Sequence, residues 1–528
     1  MPGVSRFRTT VTRAGLGALS GLLAGCTALA VAELTAALGR PASGPVTVVG
    51  GAVVDRTPAP VKDFAIRTFG EHDKLVLQLG ILVLLALFAI ALGILALRHR
   101  RSAAAGVLLF GILGGAAAVS RPDSAGAADV LPSVAAALAG AAVLCVLAGR
   151  TDPTGSPNRA QGSGGGWSRR RFLNAAAATA AAAATAGALG RVLSGERGQG
   201  AVASREALRL PAPADPAPAV PADIRPKAAG ISPFTTPVRD FYRVDTALTV
   251  PMVDAGTWRL HIHGGGVTRP RTYTLDELLA RPLIERDITL TCVSNEVGGP
   301  YLGTARWLGV PLAGLLREAG VRPPSQGGAA DQLVARSVDG MTLGSPVEDV
   351  MDGRDAMLAV GMNGEPLPFD HGFPLRMLVP GLYGYVSACK WITDLELTTF
   401  DAYDAYWVKR KWARRAPVKT QSRIDTPKPF ARPAAGTVTV AGVAWAQRRG
   451  ITRVEIRIDD GPWQDADLAA QAGVDTWRQW SYPWRATAGG HTITVRATDG
   501  TGQVQTEQRA RTIPDGASGR HSVFVTVP

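Results

Sequence analysis

The sequence predicts a multi-domain protein: transmembrane helices at the N-terminus, an α+β domain in the middle and an all-β, immunoglobulin-like sandwich at the C-terminus. Three observations carry this. Residues 1 to about 195 are dominated by Ala, Leu, Gly and Val in long apolar runs. A Pro/Ala stretch, residues 212–227, then reads as an extended linker. Beyond residue 416, short alternating runs recur between turn signals. The boundaries fall at 1–150 for a bundle of about four spans, 151–200 for a basic loop and a fifth hydrophobic segment, 201–229 for the linker, 230–415 for the central domain and 416–528 for the sandwich.

Five stretches reach the roughly 20 apolar residues that a bilayer crossing needs: 15–38, 75–97, 103–119, 130–147 and 172–189. Lys and Arg are retained on the cytoplasmic side. Arg6, Arg8 and Arg13 therefore place the N-terminus inside, as do Arg98 to Arg101 for the second-to-third loop and Arg150, Arg159 and Arg169 to Arg171 for the fourth-to-fifth. A multi-pass protein of the cell membrane results, with everything after about residue 195 on the extracytoplasmic side. The string SRRRFL at 168–173 also resembles a twin-arginine export signal, an address read by a receptor. A plain stop-transfer helix is the other reading. Glu33, inside the first span, is either functional or close to the outer interface.

The net charge of +13 does not imply nucleic acid, because much of it sits in short clusters beside apolar runs. Of seven histidines only His72 and His99 lie near the membrane part, both at segment edges, so no haem with paired axial histidines is expected. Four cysteines are too few for a disulfide scaffold. Cys26 and Cys145 fall in apolar runs, leaving Cys292 and Cys389, too few for an iron–sulfur cluster. A disulfide between those two is the bland alternative.

In the central domain, residues 258–263 and 288–292 alternate as strands, and short helical patterns follow Thr274 and Pro311. A series of strings then appears in order: DFYRVDT at 240–246, LTCVSN at 290–295, ARWLGVPL at 305–312, NGEPLP at 363–368, HGFPLR at 371–376, VPGLYG at 379–384, and Lys390–Trp391. Together they resemble the oxidoreductase molybdopterin-binding domain of the sulfite oxidase family. The resemblance implies an α+β sulfite-oxidase-type cofactor domain, a molybdenum–molybdopterin cofactor and Cys292 as the thiolate ligand, a soft donor suited to such a metal. It implies a cofactor site drawn from Tyr242, Arg243, Ser337, His371, Arg376, Cys389 and Lys390. Cations and the glycine-rich loop at 381–384 would meet the anionic tail of the pterin. Asn295 joins Cys292 at the catalytic centre.

One departure bears on the substrate. The family's string is Cys-x-x-Asn-Arg, its arginine holding an anionic substrate, whereas Glu296 stands there in this chain. Arg306 either supplies the missing charge or is a scaffold residue. A carboxylate beside the metal repels sulfite, so a sulfoxide is as good an expectation.

After residue 416, GVAW at 442–445 and DDGPW at 459–463 resemble the dimerisation domain that follows the cofactor domain in sulfite oxidases, which leaves a homodimer open. Trp445, Trp463, Trp477, Trp480 and Trp484 read as core and inter-domain packing. The leading reading is a membrane-anchored enzyme of oxygen-atom or two-electron transfer on a small molecule. A separate cytochrome or quinone-linked protein exchanges its electrons. The other readings are a metal-free, membrane-tethered binding or assembly module that keeps the fold, and a transporter, which the scarcity of intramembrane polar residues disfavours.

Overall fold

A computed structural model of the chain describes residues 2–39, 43–57, 61, 68, 73–121, 124, 126–150 and 169–528. His72, Arg159 and Ser168 of the export-like string lie outside the described residues. The chain divides into two units, residues 1–200 with 247–249 and residues 201–246 with 250–528.

The first unit is helical: α1 (Pro2–Leu38), α2 (Pro45–Arg56), α3 (Asp73–Ala96), α4 (Arg100–Val119), α5 (Leu131–Arg150) and most of α6 (Arg169–Ala207). Five helical stretches are long and apolar enough to cross a membrane: Arg13–Leu38, Leu75–Ala96, Arg100–Val119, Gly126–Arg150 and Arg170–Ala207. These coincide with the five expected from the sequence. The last runs well past residue 189, because no proline interrupts the helix before Pro211. Helices α1 and α3 meet along small residues, which let two helix backbones approach closely. A Cβ on Gly21 would lie 1.9 Å from the Ala89 carbonyl oxygen, and one on Gly93 would lie 2.1 Å from that of Gly17.

The second unit begins with an extended segment and two sheets. Its strands are β1 (Leu260–Gly264), β2 (Arg271–Tyr273), β3 (Ile284–Thr291), β4 (Leu302–Pro311), β5 (Gln332–Ser337), β6 (Thr342–Pro346), β7 (Met357–Met362), β8 (Glu365–Pro366), β9 (Arg376–Leu378) and β10 (Ile392–Thr398). One sheet runs β2-β1-β10-β5-β6, the other β3-β4-β7-β8 with β9 also on β7. Ile262, Leu312, Leu315, Leu333 and Leu395 fill the main core. A second cluster gathers Ile288, Leu290, Ala305, Trp307 and Phe373 around Phe241. The Pro/Ala stretch is extended, as expected, but it is tied down. Asp215 bridges Ile284 in parallel, and the Ala214 amide donates to the Leu283 carbonyl (2.9 Å). The open edge of β3 supplies the backbone groups for this.

The C-terminal strands are β11 (Gln421–Thr426), β12 (Gly436–Trp445), β13 (Ile451–Ile458), β14 (Gln464–Asp465), β15 (Asp467–Leu468), β16 (Arg478–Ala486), β17 (Gly489–Asp499) and β18 (His521–Val527). They form a sandwich of sheets β11-β12-β16-β15 and β14-β13-β17-β18. Val440, Ile456, Trp480, Ile493, Val495 and Val525 close its core. Trp445, Trp477, Trp480 and Trp484 are buried as expected. Trp463 is not: it is half-buried, with the guanidinium groups of Arg457, Arg496 and Arg520 4.2 to 5.1 Å from its ring centre. The sandwich also grips β3. The Thr289 amide donates to the Asp475 carbonyl (2.9 Å), the Trp477 amide to the Thr289 hydroxyl (2.7 Å), and Gln447 Nε2 to the Thr289 carbonyl (2.9 Å).

The close approach of α1 and α3 makes a measurable demand. Replacing Gly21 by Val forces the helices apart and should cost about 1–3 kcal/mol. In detergent, the thermal midpoint of the helical unit followed by far-UV circular dichroism should fall. An unchanged midpoint would show that the contact is not needed.

Candidate active site

Side chains alternate along β3, so Ile288, Leu290 and Cys292 share one face and Thr289 and Thr291 the other. The first face meets Phe241 and Trp307. Cys292 leaves the strand with its amide donating to the Tyr301 carbonyl (3.0 Å). The residue is 9% exposed, and its thiol lies 2.9 Å from the Ser294 hydroxyl. Burial pushes this thiol up from its ordinary pKa, opposed by the Ser294 hydroxyl and, more weakly, by the Lys390 charge.

Arg376 starts β9 and is 4% exposed. Nη1 donates to the His371 carbonyl (3.2 Å), the guanidinium lies 4.9 Å from the Trp307 ring centre, and Nε is buried without a hydrogen-bond partner. Among the described residues Arg376 forms no ion pair. Burial lowers it to about 10. His371 ends a short turn, 5% exposed, its Nε2 donating to the Val238 carbonyl (3.3 Å). Burial first, then the charges of Arg376 and Lys390, lower it to about 4. Gly372 follows at φ +108°, a conformation that suits glycine. A Cβ there would sit 3.0 Å from Lys390 Cα and 3.2 Å from Arg376 Cβ, so this glycine lets His371, Arg376 and Lys390 converge.

Lys390 donates to Asp245 (2.8 Å) and to the Asp370 carbonyl (2.9 Å), and burial lowers it to about 8 despite that carboxylate. Arg243 bonds Asp245 (3.0 Å) and reaches Asp370 (3.3 Å). Tyr242 stacks on Phe241, which meets the His371 ring edge-on at 5.5 Å. Burial, and after it the Cys292 charge, raise the Tyr242 hydroxyl, while Arg376 opposes. Tyr242, Arg243, Cys292, His371, Arg376 and Lys390 are thus brought together. Asn295 stands beside them and closes its loop, its Oδ1 accepting from the Tyr301 amide (2.8 Å). Ser337 and Cys389 are buried close to Lys390 on neighbouring elements, Ser337 across from Ile392 in the sheet. Both Cys292 and Cys389 are free thiols, so the disulfide alternative fails.

Arg306 is not brought to Cys292. It stands opposite Asp287 in the β3–β4 register, bonds that carboxylate through Nε (3.0 Å) and Nη2 (2.7 Å), and points to the face away from Trp307. Of the two readings left open, scaffold fits this position. Glu296 is exposed in the turn after Cys292. Sequence reasoning missed Asp245, which holds both Lys390 and Arg243, and Trp307 beneath Arg376. Each lies inside a string already singled out. It also missed Tyr383, whose buried hydroxyl is pushed up to about 12 by burial and, more weakly, by Asp515 and the Cys292 charge.

The residues fit the molybdenum–pterin group that the resemblance implies. A buried guanidinium with an unspent donor and no carboxylate is suited to an anion. A buried thiol at the same place offers one soft ligand. Among the described residues no three His, Cys, Asp or Glu side chains gather as a metal cage, so a metal here would draw on that single thiolate.

Comparison with known proteins agrees. The oxidoreductase molybdopterin binding domain family matches residues 247–407, and the bacterial Ig domain family matches residues 421–495. Mouse (Mus musculus) mitochondrial sulfite oxidase is 31% identical over 274 residues, 44% of this chain and 50% of that protein. Chicken (Gallus gallus) sulfite oxidase is 30% identical over 323 residues, 52% of this chain and 69% of that one. Among solved structures, the sulfane dehydrogenase SoxCD from Paracoccus pantotrophus aligns with 56% of this chain and 82% of its own at 26% identity, with a TM-score of 0.49. The chain belongs to the sulfite oxidase family of molybdopterin-binding oxidoreductases. It spans about half the length of the mammalian relatives it matches.

The lowered pKa of His371 carries a pH prediction. The unfolded imidazole takes a proton near pH 6.5 and the folded one near pH 4, so between these values the unfolded state binds more protons. Stability is therefore lost on acidification through that window, by up to about 3 kcal/mol from this group. Urea midpoints followed by tryptophan fluorescence should fall from pH 7 to pH 4, less steeply in His371→Gln. Equal slopes would contradict the assignment.

Proposed function

We propose that this chain is a membrane-anchored, molybdopterin-dependent oxidoreductase that transfers two electrons and an oxygen atom on a small sulfur compound outside the cytoplasm, with Cys292 as the thiolate ligand. The observation that carries this reading is the buried Arg376, its Nε unspent, in one pocket with the buried Cys292 thiol, the charges of both reaching the Tyr242 hydroxyl. When bound, the molybdenum–pterin group supplies the two-electron chemistry. The chain's own residues bind and orient. Arg376, His371 and the Lys390–Asp245–Arg243 cluster offer donors and positive charge to the anionic tail. Tyr242 remains a protonated phenol donor because burial disfavours its charge. Cys292 would bind as the thiolate, its proton passing to solvent, and the positive charge of the metal would offset the effect of burial on the thiol.

Glu296 favours an uncharged substrate such as a sulfoxide over sulfite, since Arg306 is engaged by Asp287, and Arg286 by Asp215 and Asp355. Reduction of a sulfoxide consumes two electrons and two protons and releases a sulfide and water. The electrons come from a separate cytochrome or quinone-linked protein. Arg13, Arg98, Arg100, Arg101 and Arg150, at the ends of the candidate spans, support delivery of the second unit to the outside, since basic loops are retained in the cytoplasm.

Mass spectrometry of the purified full chain, expressed where the cofactor is made, should find about one molybdenum per chain. Arg376→Ala should retain less than about a tenth of it. No molybdenum in the wild type would sink the reading and leave the metal-free binding module in its place. For the substrate, Glu296→Arg should raise kcat/KM for sulfite about tenfold or more relative to a dialkyl sulfoxide. An unmoved ratio would remove Glu296 from the specificity argument.

A further inference from the structure

The loop that follows Cys292 is short and rich in glycine. The Gly299 amide donates to the Glu296 carbonyl (2.8 Å), and Gly298 has φ +81°. Two glycines in one tight turn leave it little stiffness of its own. Its outer side is held by the C-terminal sandwich. Arg423, on β11, donates Nη1 to the Gly299 carbonyl (2.9 Å), Nη2 to the Ser232 hydroxyl (3.0 Å) and Nε to Asp425 (2.7 Å). The other Asp425 oxygen accepts the Ser232 amide (2.9 Å), so the guanidinium is fixed on three sides. His521, the first residue of β18, lies flat against the turn: a Cβ on Gly298 would be 2.2 Å from its Cδ2. Its Nδ1 accepts the Ile424 amide (3.0 Å), which fixes the ring in place.

The turn is thus caught between its own strand pair and two side chains more than a hundred positions away in sequence. The same sandwich holds β3 through Thr289, and the segment that leads into β11 accepts the Tyr383 amide at Ala416 (2.9 Å). The bonds within the loop set its shape, and the outside contacts add to its position against the strand.

We propose that the C-terminal sandwich positions the Cys292 sulfur, with Arg423 and His521 as positioning residues that lock the turn at 296–299. The proposal rests on Cys292 being the metal ligand. Arg423 bonds the Gly299 carbonyl and His521 packs on Gly298, not on Cys292 itself. Each acts through the turn, and so through Asn295 and Cys292.

The test uses the full chain in detergent, as wild type, Arg423→Gln, Arg423→Lys and His521→Ala. Amide hydrogen exchange is measured on metal-free protein, and the sulfur-to-metal absorption band on loaded protein. In Arg423→Gln, exchange across residues 293–301 should speed up about tenfold while β12 and β17 keep their protection, and the absorption band should shift. Arg423→Lys should recover most of both, since a cation still reaches the Gly299 carbonyl. His521→Ala should loosen the same segment without touching the Arg423–Asp425 pair, and it decides the matter if Arg423→Gln does not fold. Wild-type exchange and an unmoved band in the folded variants would overturn the proposal, as would faster exchange spread evenly over the sandwich. Wild type without molybdenum would overturn the reading of Cys292 instead, because the exchange experiment does not need the metal.

Discussion

A guanidinium buried without a carboxylate is the constraint around which this pocket is built. Placing a lone charge in the interior costs several kcal/mol unless hydrogen bonds or an opposite charge offset it. Arg376 obtains one carbonyl and the face of Trp307, and its Nε obtains nothing. The cost is tolerable because the surrounding fold is stiff: β9 pairs with β7 at its back, and Gly372 brings the Lys390 backbone against it. An arginine held in this way is a site kept ready for an anion. The neighbouring carboxylate, Asp245, is directed to Lys390 and Arg243 and leaves Arg376 alone.

The second constraint is the shared use of β3. One face of the strand completes the core around Phe241 and Trp307 and ends in Cys292. The other face and the backbone are bonded to the sandwich through Thr289, Trp477 and Gln447. Two domains therefore set the position of one sulfur. Moving either would move the thiol, and catalytic geometry tolerates displacements of only about an ångström.

Much of this was legible in the sequence, because the pocket is built from local strings. Cys292, His371, Arg376 and Lys390 each stood in a short string, His371 and Arg376 with Gly372 and Pro374 between them, and the structure gathers them. What was not legible depends on pairing at a distance. The spacing of Arg306 from Cys292 says nothing of Asp287 standing opposite it in register, so its charge looked available when it was engaged. The grip of Arg423 on Gly299 spans 124 positions and two domains. The Pro/Ala stretch looked free because a β3 edge able to hold Asp215 exists only once the sheet is formed. Trp463 looked like core, yet three arginines pack around it at the surface, since indole and guanidinium planes attract one another.

In the proposed enzyme one protein sulfur, that of Cys292, binds the molybdenum. X-ray absorption at the molybdenum edge tests it most directly, on wild type and on Cys292→Ser carrying the same amount of metal. One sulfur neighbour fewer is expected in the variant, replaced by a lighter atom at shorter distance. An identical sulfur shell in both proteins would contradict it.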